Sequence, residues 1–283
     1  MKLCLFILSL ITVLSFPALA AENTKETAYE RVIRTGTLRC GYITWPPFFE
    51  KDLETNEVKG FDADYVEAIA KSLDLKVDWV GEVPVGQSVE ELRSGKIDAI
   101  CASEGPLFPS TTKHLSYSKP FAYFPFFLYA RDGDTRFDNN LQAINTPDVK
   151  IAVVDGDISS EIVATYFPNA TKHSMVQMIS PTQMYMDVAS GKADLFIDGP
   201  VSVIPFQKEN PNSVRRVIMN EPLSVIPNTF SVLRGPQGND LVAMLNQAID
   251  NLRNSGKEPL IFAPYIQDIP GMIYPVAKPY EKP

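Results

Sequence analysis

The chain has 283 residues, with 34 acidic against 26 basic side chains, a formal charge of −8, and 45 % hydrophobic residues. An acidic chain without a basic stripe argues against nucleic acid and anionic membrane surfaces as partners. The length is ample for two lobes with separate cores.

Residues 1–20 read as an export leader. Lys2 supplies a short positive region, Leu3 to Phe16 is an apolar run, and Ala18-Leu19-Ala20 is a small-residue cleavage site ending near Ala20. The apolar run is short for a membrane span and no later run is long enough, so no direct membrane insertion is expected. Cys4 precedes the run and no Cys occupies the cleavage site, which argues against a lipid anchor. The expectation is an exported, periplasmic, soluble protein. Cys40 and Cys101 survive export, both on predicted strands. An oxidising compartment allows a disulfide there; adjacent parallel strands equally allow two buried thiols.

Asn23 to Arg34 is a polar lead-in. Thr37 to Tyr42 has the pattern of a strand, followed by the aromatic loop Trp45-Pro46-Pro47-Phe48-Phe49 and a charged hairpin-like stretch, Lys51 to Lys59. Gly60-Phe61-Asp62-Ala63-Asp64 then opens a helix through Leu73, with Asp62 or Asp64 as its cap. A strand over Leu75 to Val80, a short helix over Ser88 to Ser94 and a strand over Ile97 to Cys101 follow. Phe121 to Tyr129 is aromatic and β-branched and is predicted to cross between lobes, ahead of a linker-like stretch from Arg131 to Asn140. The second lobe repeats the plan: strand Lys150 to Val154, helix Ser159 to Tyr166, strand near Lys172, helix Pro181 to Ala189, strand Leu195 to Ile197, and a further strand over Val214 to Met219. Thr229 to Leu233 is the predicted return crossing, Asn239 to Asn254 a long helix packed back on the first lobe, and the tail from Pro270 irregular.

One phrase occurs twice. Ser94-Gly95-Lys96-Ile97-Asp98-Ala99-Ile100 returns as Ser190-Gly191-Lys192-Ala193-Asp194-Leu195-Phe196. Each copy reads as a helix ended by a left-handed Gly, a tight turn and a buried parallel strand, a pattern also common in α/β proteins generally. The predicted fold class is therefore α/β: two lobes of parallel-sheet build joined by two hinge strands, closing on a ligand in the manner of a flytrap. The expected organisation is 1–20 signal peptide, 21–35 lead-in, 36–125 first part of lobe 1, 126–229 lobe 2, and 230–283 second part of lobe 1 with the tail.

Six motifs appear in a set order: Thr37-Leu38-Arg39-Cys40-Gly41, Trp45-Pro46-Pro47-Phe48, Gly60-Phe61-Asp62-Ala63-Asp64, Gly95-Lys96-Ile97-Asp98-Ala99, Tyr117-Ser118-Lys119-Pro120-Phe121 and Gly191-Lys192-Ala193-Asp194. Together, from about Arg34 to Tyr265, the chain resembles the extracellular solute-binding proteins that serve polar amino-acid ABC importers. The resemblance implies a monomeric two-lobe protein that closes on a small polar solute and docks on a membrane permease, with no cofactor. It also implies ligand-binding positions: Tyr42 and Trp45 as an aromatic wall; Ala102, Ser103 and Gly105 offering backbone and hydroxyl groups; Gly156, Asp157 and Ile158 at the helix start that receives a ligand carboxylate; and Asp198 for the ligand ammonium.

Two positions depart from that pattern. The Arg that would clamp an α-carboxylate is matched by Thr111, or by Ser110 if the loop length differs, and no Arg occurs between Arg93 and Arg131. Asp157 stands where the family places Thr, filling the positive helix end with the protein's own carboxylate. The expected ligand is thus amino-acid-like or a cationic amine, without a free carboxylate in the usual place. Asp198 also fits a helix cap, Glu104 and Lys113 fit solvated charges, and Trp45 fits a packed surface aromatic. His114 and His173 lack metal-ligand spacing, so no metal site is expected. Met175, Met178, Met184 and Met186 read as core filling, and Asn169-Ala170-Thr171 as a chance glycosylation triplet. Two alternatives stand beside this reading: a cyclohexadienyl-dehydratase-like enzyme on the same scaffold, with Glu104 and Lys113 recruited, and a periplasmic accessory protein of a redox enzyme.

Overall fold

A computed structural model of the chain describes residues 26–84, 86–102, 104–106, 109–176 and 180–277. The expected leader, Ser103 and Met178 lie outside these residues. Helix α1 (Ala28–Thr35) replaces the expected polar lead-in. Its start is a capping box: the Glu30 amide donates to Thr27 Oγ1 and the Thr27 amide to the Glu30 carboxylate. The Thr-x-x-Glu spacing was the legible signal.

Strand β1 (Thr37–Tyr42), the hairpin β2 (Glu50–Lys51) and β3 (Val58–Lys59), helix α2 (Phe61–Ser72), β4 (Lys76–Glu82), α3 (Ser88–Ser94), β5 (Ala99–Ala102), α4 (Pro109–Thr112), β6 (Leu115–Tyr117) and β7 (Ala122–Arg131) follow in order. The chain continues through β8 (Lys150–Val154), α5 (Ile158–Tyr166), β9 (Thr171–Met175), α6 (Thr182–Ala189), β10 (Leu195–Asp198), α7 (Pro200–Glu209) and β11 (Val214–Arg216). It closes with β12 (Ser224–Asn228), β13 (Ser231–Leu233), α8 (Pro236–Asn254), α9 (Glu258–Asp268) and β14 (Tyr274–Pro275).

Two sheets share one plan. The first runs β4-β1-β5-β13-β6 and the second β9-β8-β10-β7-β11. In each, three strands are parallel, and the fourth position is taken by a strand arriving from the other lobe, hence antiparallel. The repeated phrase occupies the same place in both. Gly95 and Gly191 have φ of 73° and 81°. Asp98 accepts from the Arg39 amide at 3.0 Å, as Asp194 accepts from the Lys150 amide at 2.9 Å, each carboxylate tying the third strand to the first.

The lobes are joined by β7 and β12, which pair antiparallel from Ala122–Asn228 to Phe126–Ser224. The return crossing therefore lies one element before the predicted Thr229 to Leu233, which is already sheet. Pro227 concealed it: a residue without an N–H reads as loop, yet is tolerated on a strand with one neighbour. The tail from Pro270, expected irregular, supplies β14 on the other side of β7. Arg131 to Asn140 is no linker either. Phe137 is buried there, and Arg136 bridges Asp134 and Asp194 at 2.7 and 2.6 Å.

Neither Asp62 nor Asp64 caps α2. Its N-cap is Gly60 (φ 115°), where a Cβ would collide with the Phe48 carbonyl. Asp62 is fully buried and accepts from Asn228 Nδ2, fastening α2 to the hinge strand β12. Cys40 and Cys101 form a disulfide, so the alternative of two free thiols does not hold. Pairing of β1 with β5 shifts register between Gly41 and Tyr42, and this irregularity brings the two Cα atoms, diagonal on one face, to 5.5 Å.

Candidate functional site

The candidate residues sit where parallel strands end. Tyr42 and Ala102 close β1 and β5; Gly156, Asp157 and Ile158 follow β8; Asp198 closes β10. Loops beyond the carboxyl ends of parallel strands are where α/β folds gather ligand contacts, because chain connections leave a crevice there.

In lobe 2 the structure brings Asp157 and Asp198 together. Gly156 adopts φ 75° in the turn after β8, delivering Asp157 to the N-cap of α5, where its carboxylate accepts from the Ile158 amide. Asp198 is 9 % exposed. It accepts from the Tyr185 hydroxyl at 2.5 Å and from the Gly199 amide at 2.7 Å. It is not a cap for α7, whose N-cap is Gly199 without any side-chain bond. Burial raises the proton affinity of both acids: Asp157 is shifted above the usual carboxylate range, and Asp198 is pushed up to about 6, the adjacent Asp157 charge adding to the shift against the Tyr185 and Gly199 bonds. Among the described residues neither acid has a basic partner.

In lobe 1 a second cluster forms around Tyr117, whose hydroxyl donates to Thr111 Oγ1 at 3.2 Å. Thr111 is buried. Glu104, expected as a solvated charge, is buried instead and accepts from Ser88 Oγ at 2.9 Å. The reason is the path of its loop. The Glu104 carbonyl accepts from the Thr229 amide at 3.0 Å, and Gly105 passes so close to β12 that a Cβ would lie 2.5 Å from the Pro227 oxygen. Burial pushes Glu104 up to about 7, with the Ser88 bond opposing. Lys113 is exposed, as expected.

The aromatic wall is divided. Tyr42 is 4 % exposed, stacked on Phe49 at 4.6 Å with Trp79 at its edge, which places it in the lobe 1 core. Trp45 is half-buried and meets the hinge residue Phe124 edge-on at 5.7 Å. Residues the sequence did not single out complete the picture. Tyr185 and Ser88 engage the two buried acids, and Tyr129 lies near enough to Asp198 for its phenol to be shifted up, burial being the larger cause. Tyr185 sits on the buried face of α6, where helical periodicity accounts for an aromatic by packing alone and gives no sign of a partner acid. His173 pairs with Asp187 at 2.8 Å, and no group of His, Cys, Asp and Glu suited to a metal ion occurs among the described residues.

The sequence matches the bacterial extracellular solute-binding proteins, family 3, over residues 38–268. A probable amino-acid-binding protein of Bacillus subtilis is 23 % identical over 253 residues, covering 89 % of each chain. A probable histidine-binding protein of Campylobacter jejuni is 26 % identical over 243 residues, covering 84 % of this chain and 88 % of that one. Among solved structures, an ancestral amino acid-binding protein, a precursor of cyclohexadienyl dehydratase, superposes with a TM-score of 0.65 at 22 % identity, over 84 % of this chain and 99 % of that one.

Proposed function

The chain belongs to the bacterial extracellular solute-binding proteins of family 3, and from that premise we propose that it captures a small cationic solute between its lobes for the permease of an ABC importer. The buried pair Asp157 and Asp198 carries this reading. Two neighbouring carboxylates held away from water, without a basic partner, favour protons; a cation entering beside them restores their ionisation and gains what water no longer supplies. The same argument disfavours a free ligand carboxylate, because no Arg occupies the lobe 1 loop and Asp157 already fills the start of α5.

Micromolar capture needs about 8 kcal/mol. A charge-assisted bond to Asp198 supplies about 1.5–3 kcal/mol and a cation against the Trp45 face about 0.5–2 kcal/mol, with apolar burial making up the remainder. The protein works as a periplasmic monomer: residues 36–125 and 230–283 form one lobe and 126–229 the other, and β7 with β12 is the hinge. Isothermal titration with amines, amino-acid amides, ordinary α-amino acids and neutral solutes tests the reading. Amines and amides are expected to bind tightest; tight binding of an ordinary α-amino acid overturns the preference.

A second reading rests on Glu104. A buried acid that holds its proton to about pH 7 has the property required of a general acid, and one structural neighbour is a precursor of cyclohexadienyl dehydratase. Turnover of prephenate by the purified protein distinguishes an enzyme from a carrier.

A further inference from the structure

We propose that lobe 1 carries a separate binding site for a small doubly charged oxyanion of the phosphate class, at the end of its sheet away from the Glu104 loop. A cavity of about 300 Å³ lies there, among α1, the end of α3, the start of β5 and the first turn of α8. Arg31, Arg39 and Arg93 bring guanidinium groups to it from three different elements.

The fold itself uses only part of this charge. Asp98, buried, accepts from the Arg39 amide at Oδ2 (3.0 Å) and from Arg39 Nη2 at Oδ1 (3.2 Å), and Arg31 contacts the same Oδ1. Arg39 Nη2 also donates to the Gly95 carbonyl at 2.7 Å. Glu26, at the rim, is held by Arg34 through two bonds of 2.7 and 2.9 Å. Two guanidinium groups, of Arg31 and Arg39, thus share the buried Asp98 carboxylate, while Arg93 lines the same cavity without touching it, within a chain whose overall charge is −8. Burial, and then the like charge of Arg39, bring Arg31 down to about 10, with the Glu26 charge opposing. Arg93 is exposed, and its only hydrogen bond among the described residues is with His114 Nδ1 at 3.3 Å.

The opposite wall is also suited to an anion. Helix α8 begins at Gly235 without a side-chain cap; Pro236 has no N–H and the Gly238 and Asn239 amides donate to the Gly235 carbonyl at 3.0 Å, so the Gln237 amide is the helix-start donor left to this wall. Gly238 also lines the cavity; a Cβ there would lie 2.0 Å from the Leu233 oxygen, so the glycine lets α8 pack directly on β13. Guanidinium forks match tetrahedral oxyanions, and the Gln237 amide adds one donor to them. A volume of about 300 Å³ is at the lower end for small-molecule sites, which favours phosphate or a small phosphomonoester over anything of peptide size.

The test is equilibrium dialysis and thermal melting of the full chain with inorganic phosphate at constant ionic strength. Saturable one-to-one uptake that raises the melting temperature is expected. Arg39→Gln removes bonds to a buried carboxylate and endangers folding, so Arg93→Gln is the variant to read. It should melt like the parent without phosphate and bind phosphate about tenfold more weakly, as loss of one charge-assisted bond implies. Absence of saturable uptake, or equal binding by Arg93→Gln, overturns the proposal. Solute binding between the lobes is read separately by titration and should not change in Arg93→Gln; loss of it there overturns the claim that the two sites are distinct.

Discussion

A carboxylate kept out of water is unstable as an ion, and Asp198 and Glu104 show what such a group contributes to a binding protein. Their folded-state proton affinities are raised, to about 6 and about 7, above those of an unfolded chain. The sign follows directly: protonation favours the fold, so their contribution is fully present below the unfolded carboxylate range and is lost as pH rises through 6 and 7. Replacing Glu104 with Gln should therefore stabilise the unliganded protein at pH 8 by about 1 kcal/mol, roughly 2–4 °C in melting temperature, with the difference vanishing near pH 5. Asp187 behaves oppositely. Burial raises its proton affinity, but His173, Lys192 and Gln183 outweigh that and hold it below the ordinary range. For the ligand, Asp198→Asn should weaken binding of a cationic solute about 10–100-fold by titration. In the parent, affinity should fall as pH drops through about 6, since a protonated Asp198 offers no charge. Flat affinity between pH 5 and 8 would count against Asp198 as an anchor. These effects were only half legible in advance. The position of Asp198 at a strand end was in the sequence, but the burial of Glu104 was not, because it depends on Ser88 and on a hinge strand more than a hundred residues away.

At the scale of elements, local signals worked where the chain's own neighbours set the structure. The bounds of β1, α3 and β8 coincide with the residues predicted from periodicity and glycine stops. They failed where a long-range partner decided. Strand β12 contains Pro227 and exists because β7 offers an edge; Asp62, cap-like in sequence, is buried because Asn228 waits in that strand. The Cys40–Cys101 bridge is a further case, since its geometry depends on one register shift between β1 and β5. It closes a loop with a sequence separation of 61 and should contribute about 4 kcal/mol by chain entropy. Replacing both cysteines with Ala is expected to lower stability by about 2–4 kcal/mol in denaturant melts. A loss below 1 kcal/mol would show that the sheet alone holds these strands. Gly105→Ala belongs here too: a methyl 2.5 Å from the Pro227 oxygen must push the Glu104 loop off the hinge, at about 1–3 kcal/mol.

For the molecule as a whole, the two sheets of identical strand order and the paired strands β7 and β12 make a hinge the natural axis of motion. A solute that touches both lobes binds the closed arrangement better and shifts the population toward it. Small-angle scattering should then show a smaller radius of gyration with the tightest-binding amine than without it. No change at saturation would remove closure from the mechanism. The sequence by itself determined the α/β class, the duplicated helix-glycine-strand unit and the family, because these depend on short-range periodicity and ordered motifs. Tertiary structure alone decided which strands cross, that Tyr42 belongs to a core and Glu104 is buried, and that Asp157 and Asp198 share one low-dielectric corner. Burial and charge proximity are properties of contacts between distant segments, and no local pattern encodes them.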